Sequence, residues 1–237
     1  PTPRQISTLA NSALYIRAGV PFEKAWMERI RSVNPNMRVL DARAGFDLRI
    51  IELHENDHDN EHHFFKRRAD AHQGVSRRDP HVWTSPPLVK RMAGNIRDAL
   101  AELDPANGQD YALNFNAFAA ELDRLDRDIQ SRLKGVPIRK FMVFHPAWGY
   151  FADTYWLTQV PIEKEGKEPG ARRLTALIEQ AKREHVRVIF VQPQFNKKSA
   201  EQVARAIGGQ VLAIDPLSPD YADNLRNLAQ QIAEAQK

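Results

Sequence analysis

Two hydrophobic periodicities alternate along the chain. Short apolar runs rich in Val, Ile and Phe predict buried strands, whereas apolar residues recurring every three or four positions predict helices that pack through one face. The predicted strands are 13–17, 38–41, 140–144, 158–162, 186–191 and 210–214. The predicted helices around them are 4–10, 22–33, 147–156, 170–184, 197–207 and 219–235.

One longer helix stands out from this alternation. Its apolar positions all fall on one helical face, and they are Tyr111, Phe115, Phe118, Leu122, Leu125, Ile129 and Leu133. The pattern predicts a helix from about residue 107 to 133, ended by Gly135 and about 40 Å long. A helix of this length can cross one domain or join two.

Repeated strand–helix units favour an α/β fold with parallel sheets flanked by helices. Ser85 and Pro86 predict the cap and first turn of a further helix after residue 85. We expect two α/β lobes joined by the long helix. The predicted domains are 1–104, a linking helix over 105–134, and 135–237.

Composition narrows the possible chemistry. The chain of 237 residues is 42% hydrophobic and 27% charged and contains no Cys, so thiolate metal sites, disulfides and cysteine nucleophiles are excluded. Strong metal ligands must then be His, Asp or Glu.

The basic residues of the chain are scattered and no nucleic-acid motif is present, so we expect no nucleic-acid partner. No apolar run approaches the roughly 18 residues that span a bilayer.

A segment rich in His and acidic residues runs from Glu52 to His63 and holds five acidic residues and four His. Residues 52–78 lack an apolar period, which predicts a loop. The candidate ligands of a weakly bound and readily released zinc ion are His54, His58, His62 and His63. The segment also matches His-Glu-x-x-His and His-x-x-Glu-His, but without the apolar helix face that a metalloprotease needs. A solvated loop without function is the alternative.

Three further polar residues occupy positions where α/β proteins bind ligands. His145 and Asp215 each follow a predicted strand, and His81 precedes the helix capped by Ser85. A single His after a strand is more often structural. Two His and one carboxylate together, however, match the ligands of zinc or manganese. A zinc hydrolase would also need a general acid or base such as Glu165 or Glu168, which the spacing does not support.

Several motifs in register across the chain support a family resemblance. They are Asp79-Pro80-His81-Val82-Trp83, Phe144-His145-Pro146-Ala147-Trp148-Gly149-Tyr150-Phe151, Asp215-Pro216-Leu217, 18–26, 192–195 and the His-rich acidic segment. With the long helix between the first two, the chain resembles the zinc-specific periplasmic solute-binding proteins of bacterial ABC importers.

The resemblance implies two α/β lobes joined by a rigid helix, with one metal ion between the lobes. Members of the family bind zinc through three His and a carboxylate or water. His81 and His145 match two of these His, and Asp215 matches the acidic position of the second lobe. The third His and the first strand belong to a segment before Thr2, so we expect the first lobe to lack a strand. Gln192 replaces a Glu found in many relatives and is not counted as a ligand.

The expected function is extracytoplasmic capture of Zn²⁺ and its delivery to the membrane permease of an ABC importer. We expect a monomer that is either periplasmic or anchored to the membrane on its extracytoplasmic side, with no obligate soluble partner and no enzymatic activity. A manganese receptor of the same family is the alternative, which the imidazole-rich segment disfavours because manganese prefers oxygen ligands.

Overall fold

The computed structural model describes residues 2–51, 78–163 and 166–235. The chain divides into two compact units, the first formed by Pro1–Leu48 and Pro80–Asp128 and the second by Arg49–Asp79 and Ile129–Lys237. The predicted domain boundaries stay a prediction.

The first unit contains a parallel pair of strands, β1 (Leu14–Arg17) and β2 (Arg38–Asp41), in which Leu14 lies opposite Arg38. Ser85 is the N-cap of helix α3 (Pro86–Leu103) and Pro86 is its first residue, as predicted. Among the described residues, the sheet of this unit has two strands. Its helices and strands are α1 (Pro3–Ala10), β1 (Leu14–Arg17), α2 (Pro21–Val33), β2 (Arg38–Asp41), α3 (Pro86–Leu103) and most of α4 (Gly108–Leu133), with 3₁₀ turns at Val82–Thr84 and Pro105–Asn107.

The turn between β1 and α2 is built around the buried carboxylate of Glu23, which is 5% exposed. This carboxylate accepts hydrogen bonds from the main-chain N–H groups of Ala18, Gly19 and Val20. Gly19 has φ +79°, and a Cβ there would lie 1.6 Å from Cζ of Arg43. Only glycine fits this position, because a side chain would meet both backbone strain and the guanidinium.

Helix α4 confirms the long helix predicted from the apolar stripe. It contains 26 residues and is followed by Gly135 at φ +77°. The stripe is buried over its second half, at Leu122, Leu125, Ile129 and Leu133, while Phe118 is 40% exposed. The chain passes from the first unit to the second within this helix, between Asp128 and Ile129.

The second unit contains a four-stranded parallel sheet in the order β4-β3-β5-β6. These strands are β3 (Lys140–Val143), β4 (Thr158–Pro161), β5 (Val188–Val191) and β6 (Gln210–Ala213). Every residue of β5 is buried, which explains its continuous apolar sequence. The fold class is therefore confirmed as α/β with parallel sheets flanked by helices. None of the helices in the described ranges is long and apolar enough to cross a membrane. The elements of this unit are β3 (Lys140–Val143), α5 (Gly149–Thr154), β4 (Thr158–Pro161), α6 (Ala171–Arg183), β5 (Val188–Val191), α7 (Lys198–Ile207), β6 (Gln210–Ala213) and α8 (Tyr221–Glu234).

Candidate metal centre

Each strand of the second unit's sheet is followed within two residues by a polar side chain. His145 follows β3, Glu163 follows β4, Gln192 follows β5 and Asp215 follows β6. Because all four strands are parallel, these residues lie along the same carboxyl edge of the sheet. The sequence predicted His145 and Asp215 as metal ligands, and the fold brings both to this edge, with β5 lying between their strands.

The imidazole of His145 is held by a buried carboxylate. Its Nδ1 lies 2.7 Å from Oε1 of Glu163, whose side chain is 3% exposed. The main-chain N–H of Glu163 donates to the carbonyl of Phe144 at 3.1 Å, so the pairing of β3 and β4 continues far enough to place Glu163 beside His145. With Nδ1 donating to the carboxylate, Nε2 is the ring nitrogen that would bind a metal.

Two residues of the loop after β5 also fix His145. Gln192 is 1% exposed, and its amide accepts from the N–H of His145 at 3.3 Å and donates to the carbonyl of His145 at 3.0 Å. The ring of Phe195 stacks on the imidazole, with centroids 5.2 Å apart and an interplanar angle of 21°. Gln192 therefore orients the main chain of His145, a role for which an ionised Glu would lack the donor.

Asp215 lies at the end of β6 in a turn that uses its own carboxylate. Oδ1 accepts from the N–H of Leu217 at 2.9 Å, and Oδ2 accepts from the amide of Gln194 at 2.9 Å. Asn224, on α8, donates to the carbonyl of Asp215 at 2.7 Å. The loop after β5 thus contacts both predicted ligands of this unit, His145 through Gln192 and Phe195 and Asp215 through Gln194.

His81 belongs to the first unit and caps the 3₁₀ turn that precedes α3. Its carbonyl accepts hydrogen bonds from the N–H of Thr84 at 3.1 Å and from the hydroxyl of Thr84 at 2.9 Å. The imidazole meets the ring of Trp83 edge to face, with centroids 5.3 Å apart. Its main chain is thus held by the turn and its ring by an aromatic neighbour.

The other candidates have different positions. His54, His58, His62 and His63 lie outside the described residues, as does Glu165. Glu168 is described, and its carboxylate accepts from the hydroxyl of Ser199 at 2.8 Å. Within either unit, the described residues include no group of three His, Cys, Asp or Glu placed to bind a metal.

The profile of the family described as zinc-uptake complex component A, periplasmic, matches residues 1–235. The chain belongs to this family. The resemblance inferred from its motifs is therefore confirmed.

Individual proteins that are similar to this chain support the same family. The high-affinity zinc uptake system protein ZnuA of Bacillus subtilis (strain 168) is 30% identical over 220 residues, which are 92% of this chain. This chain spans 66% of the length of that relative. A crystal structure of ZnuA is 39% identical with a TM-score of 0.86, and a zinc-bound deletion mutant of ZnuA is 40% identical with a TM-score of 0.84. The match to each of these two structures covers 100% of this chain and 84% of the other chain.

Glu163 was not among the residues predicted from the sequence, although a usable signal was present. It follows a predicted strand, like His145 and Asp215, and the same strand-end rule would have found it. Phe195 gave no such signal, because the stacking of its ring on His145 depends on the neighbouring positions of β3 and β5.

Proposed function

We propose that this zinc-uptake family member captures Zn²⁺ outside the cytoplasm and delivers it to the membrane permease of an ABC importer. In this proposal His81, His145 and Asp215 are zinc ligands. Zinc is the cargo, and no chemical step on it is required. The family profile supports this function, and the named relatives are zinc-uptake proteins.

The geometry around His145 supports the proposal most directly. A buried carboxylate on Nδ1 fixes the tautomer and the ring orientation of a metal-binding His and makes Nε2 a stronger ligand. Glu163 provides this contact at 2.7 Å. Stacking on Phe195 restricts the same ring further, so little ordering remains to be done when zinc binds.

Zinc is favoured over manganese because two imidazoles and one carboxylate match the nitrogen-rich sites of zinc, whereas manganese favours oxygen ligands. Transport is favoured over hydrolysis because Glu168 hydrogen-bonds to Ser199, so its contact is with a helix residue rather than with His145. We further propose that the protein acts as a monomer in the periplasm or at the outer face of the membrane.

Zinc titration against a chromophoric chelator tests the assignment. Wild-type protein should bind zinc tightly, and His81→Ala, His145→Ala and Asp215→Asn should each weaken binding. Manganese should compete poorly. His185→Asn is the matched control, because His185 lies at the end of α6 with φ +53° and Asn tolerates that conformation. Unchanged zinc affinity in both His81→Ala and His145→Ala, with the fold retained, would reject the site.

The four His of residues 54–63 remain a separate proposal as a weaker zinc-collecting segment. Deleting residues 54–63 should remove additional zinc equivalents and leave the tight site intact. Loss of all zinc binding in the deletion variant would make this segment the primary site instead.

A further inference from the structure

A partly buried ion-pair cluster in the second unit is not explained by the ligand assignment. Arg49 is its centre, with a side chain only 14% exposed. The guanidinium contacts Oδ2 of Asp79 at 3.3 Å and Oδ2 of Asp153 at 3.0 Å. Asp79 is fully buried, so its carboxylate depends on partners such as this guanidinium.

Tyr150 and Gly149 complete this cluster. The Tyr150 hydroxyl donates to the carbonyl of Asp79 at 3.0 Å and accepts from the N–H of Arg49 at 3.1 Å. A Cβ on Gly149 would lie 1.5 Å from Nη1 of Arg49, so the guanidinium packs directly on the glycine. We call Arg49, Asp79, Gly149, Tyr150 and Asp153 the Arg49 clamp.

The main chain adds a further connection at the same place. The N–H of Asp79 donates to the carbonyl of Arg49 at 2.9 Å, and Ile50 and Arg78 form an antiparallel bridge. The clamp therefore fixes both points where the segment Arg49–Asp79 leaves and rejoins the first unit. Two of the three passages of the chain between the units are held in this way.

The position of the clamp along the chain relates it to both proposed His ligands. His81 follows Asp79 by two residues, so their Cα atoms are at most about 7 Å apart. Gly149 and Tyr150 start α5, four and five residues after His145. The Arg49 clamp thus holds the chain just before one proposed ligand and just after the other.

We propose that the Arg49 clamp is a positioning element for zinc binding, which holds the main chain at Asp79, two residues before His81, against the start of α5. This inference rests on the proposed function and extends it to residues that do not touch zinc. Weakening the clamp should leave the ligands present but less well placed, and zinc should then dissociate faster.

Two conservative substitutions test the clamp. Tyr150→Phe removes the hydroxyl that bridges Asp79 and Arg49 but keeps the ring, and Arg49→Lys keeps the charge but loses the planar fork. Each should weaken zinc affinity about tenfold or more and speed zinc release into excess chelator, as for other supporting residues of metal sites. Tyr111→Phe is the control, since it removes a hydroxyl bonded to Asp104 and should bind zinc as the wild type does.

A double-variant comparison separates positioning from general destabilisation. If the clamp acts through His81, adding Tyr150→Phe to His81→Ala should cause no further loss of affinity. Wild-type affinity in both clamp variants, or an equal loss from Tyr150→Phe with and without His81, would overturn the inference while leaving the ligand assignment intact. Wild-type zinc affinity in His81→Ala itself would reject the ligand assignment, and the clamp inference with it.

Discussion

Carboxylates hold cationic or imidazole partners in fixed positions in both units. Glu163 contacts the ring of His145 in the second unit, and Asp41 pairs with the guanidinium of Arg43 in the first. Oε2 of Glu163 is buried and has no hydrogen-bond partner among the described residues. A buried carboxylate with an unsatisfied oxygen is costly, so the contact with His145 has to offset part of that cost.

Replacing Glu163 should weaken zinc binding, because its carboxylate holds the ring of His145. Glu163→Gln removes the negative charge from the His145 contact, and zinc affinity should fall about tenfold to a hundredfold, as is usual for the carboxylate partner of a metal-binding His. Chelator competition measures this. Glu168→Gln is the matched control in the same unit, because its carboxylate contacts Ser199 instead of His145. Equal affinity in wild type and Glu163→Gln would contradict the prediction.

The lowered pKa of Asp41 predicts that the free energy of unfolding depends on pH. Partial burial alone would raise the pKa of Asp41, but hydrogen bonds from the side chain and N–H of Arg43 outweigh it and hold the pKa below its ordinary value of 3.8. A lowered pKa stabilises the folded state above pH 3.8, and this contribution is lost as the pH falls through the folded-state pKa.

The free energy of unfolding of the wild type should therefore exceed that of Asp41→Asn by more at pH 5 than at about pH 2.5. Urea unfolding at the two pH values measures the difference. A difference that stays constant between them would show that Arg43 does not favour the ionised form of Asp41.

At the scale of elements, the helix α4 combines a buried stripe with an exposed face. Leu125 is 1% exposed, whereas Leu113 on the same helix is 60% exposed. The sequence pattern predicted one apolar face, and the structure buries its second half more completely than its first. Packing of that face stabilises the helix, because propensity alone contributes little to helices within proteins.

Leucine truncation on α4 tests this packing. Leu125→Ala should lower the free energy of unfolding by about 2–5 kcal/mol, because it removes buried methyl groups and leaves a cavity. Leu113→Ala is the matched control and should change it by less than about 0.5 kcal/mol. Chemical denaturation measures both, and similar losses in the two variants would contradict the burial seen along α4.

For the whole molecule, the main chain passes three times between the two units. Two passages lie at the ends of Arg49–Asp79 and the third lies within α4. His81 belongs to the first unit, and His145 and Asp215 belong to the second. Under the proposed assignment, a zinc ion bound by all three residues would stabilise both units, because a ligand stabilises every part of the protein that must be folded to bind it.

Hydrogen exchange tests this linkage. Saturating zinc should slow amide exchange around residues 81–84 and around 144–146, and His145→Ala should remove the protection in both places. Protection confined to the second unit would indicate that His81 is not a ligand and that zinc is held by one unit alone.

The sequence alone determined the fold class and nearly all of the helices and strands, and it placed the proposed ligands His145 and Asp215 at strand ends. Predicted strand bounds agree with those of the structure within two residues, because apolar periodicity is a property of neighbours along the chain. The motifs around His81, His145 and Asp215 were also sufficient to indicate the family. These features need no knowledge of which distant segments meet.

Only the tertiary structure showed which polar groups contact the proposed ligand His145. Glu163 is 18 residues from His145 and Gln192 is 47 residues away, and both reach it because β4 and β5 flank β3. Arg49 meets Tyr150 across 101 residues. Such partners follow from the order of the strands and from the close approach of separate segments. The local hydrophobic pattern cannot predict them, because a polar side chain has no periodicity that identifies its partner.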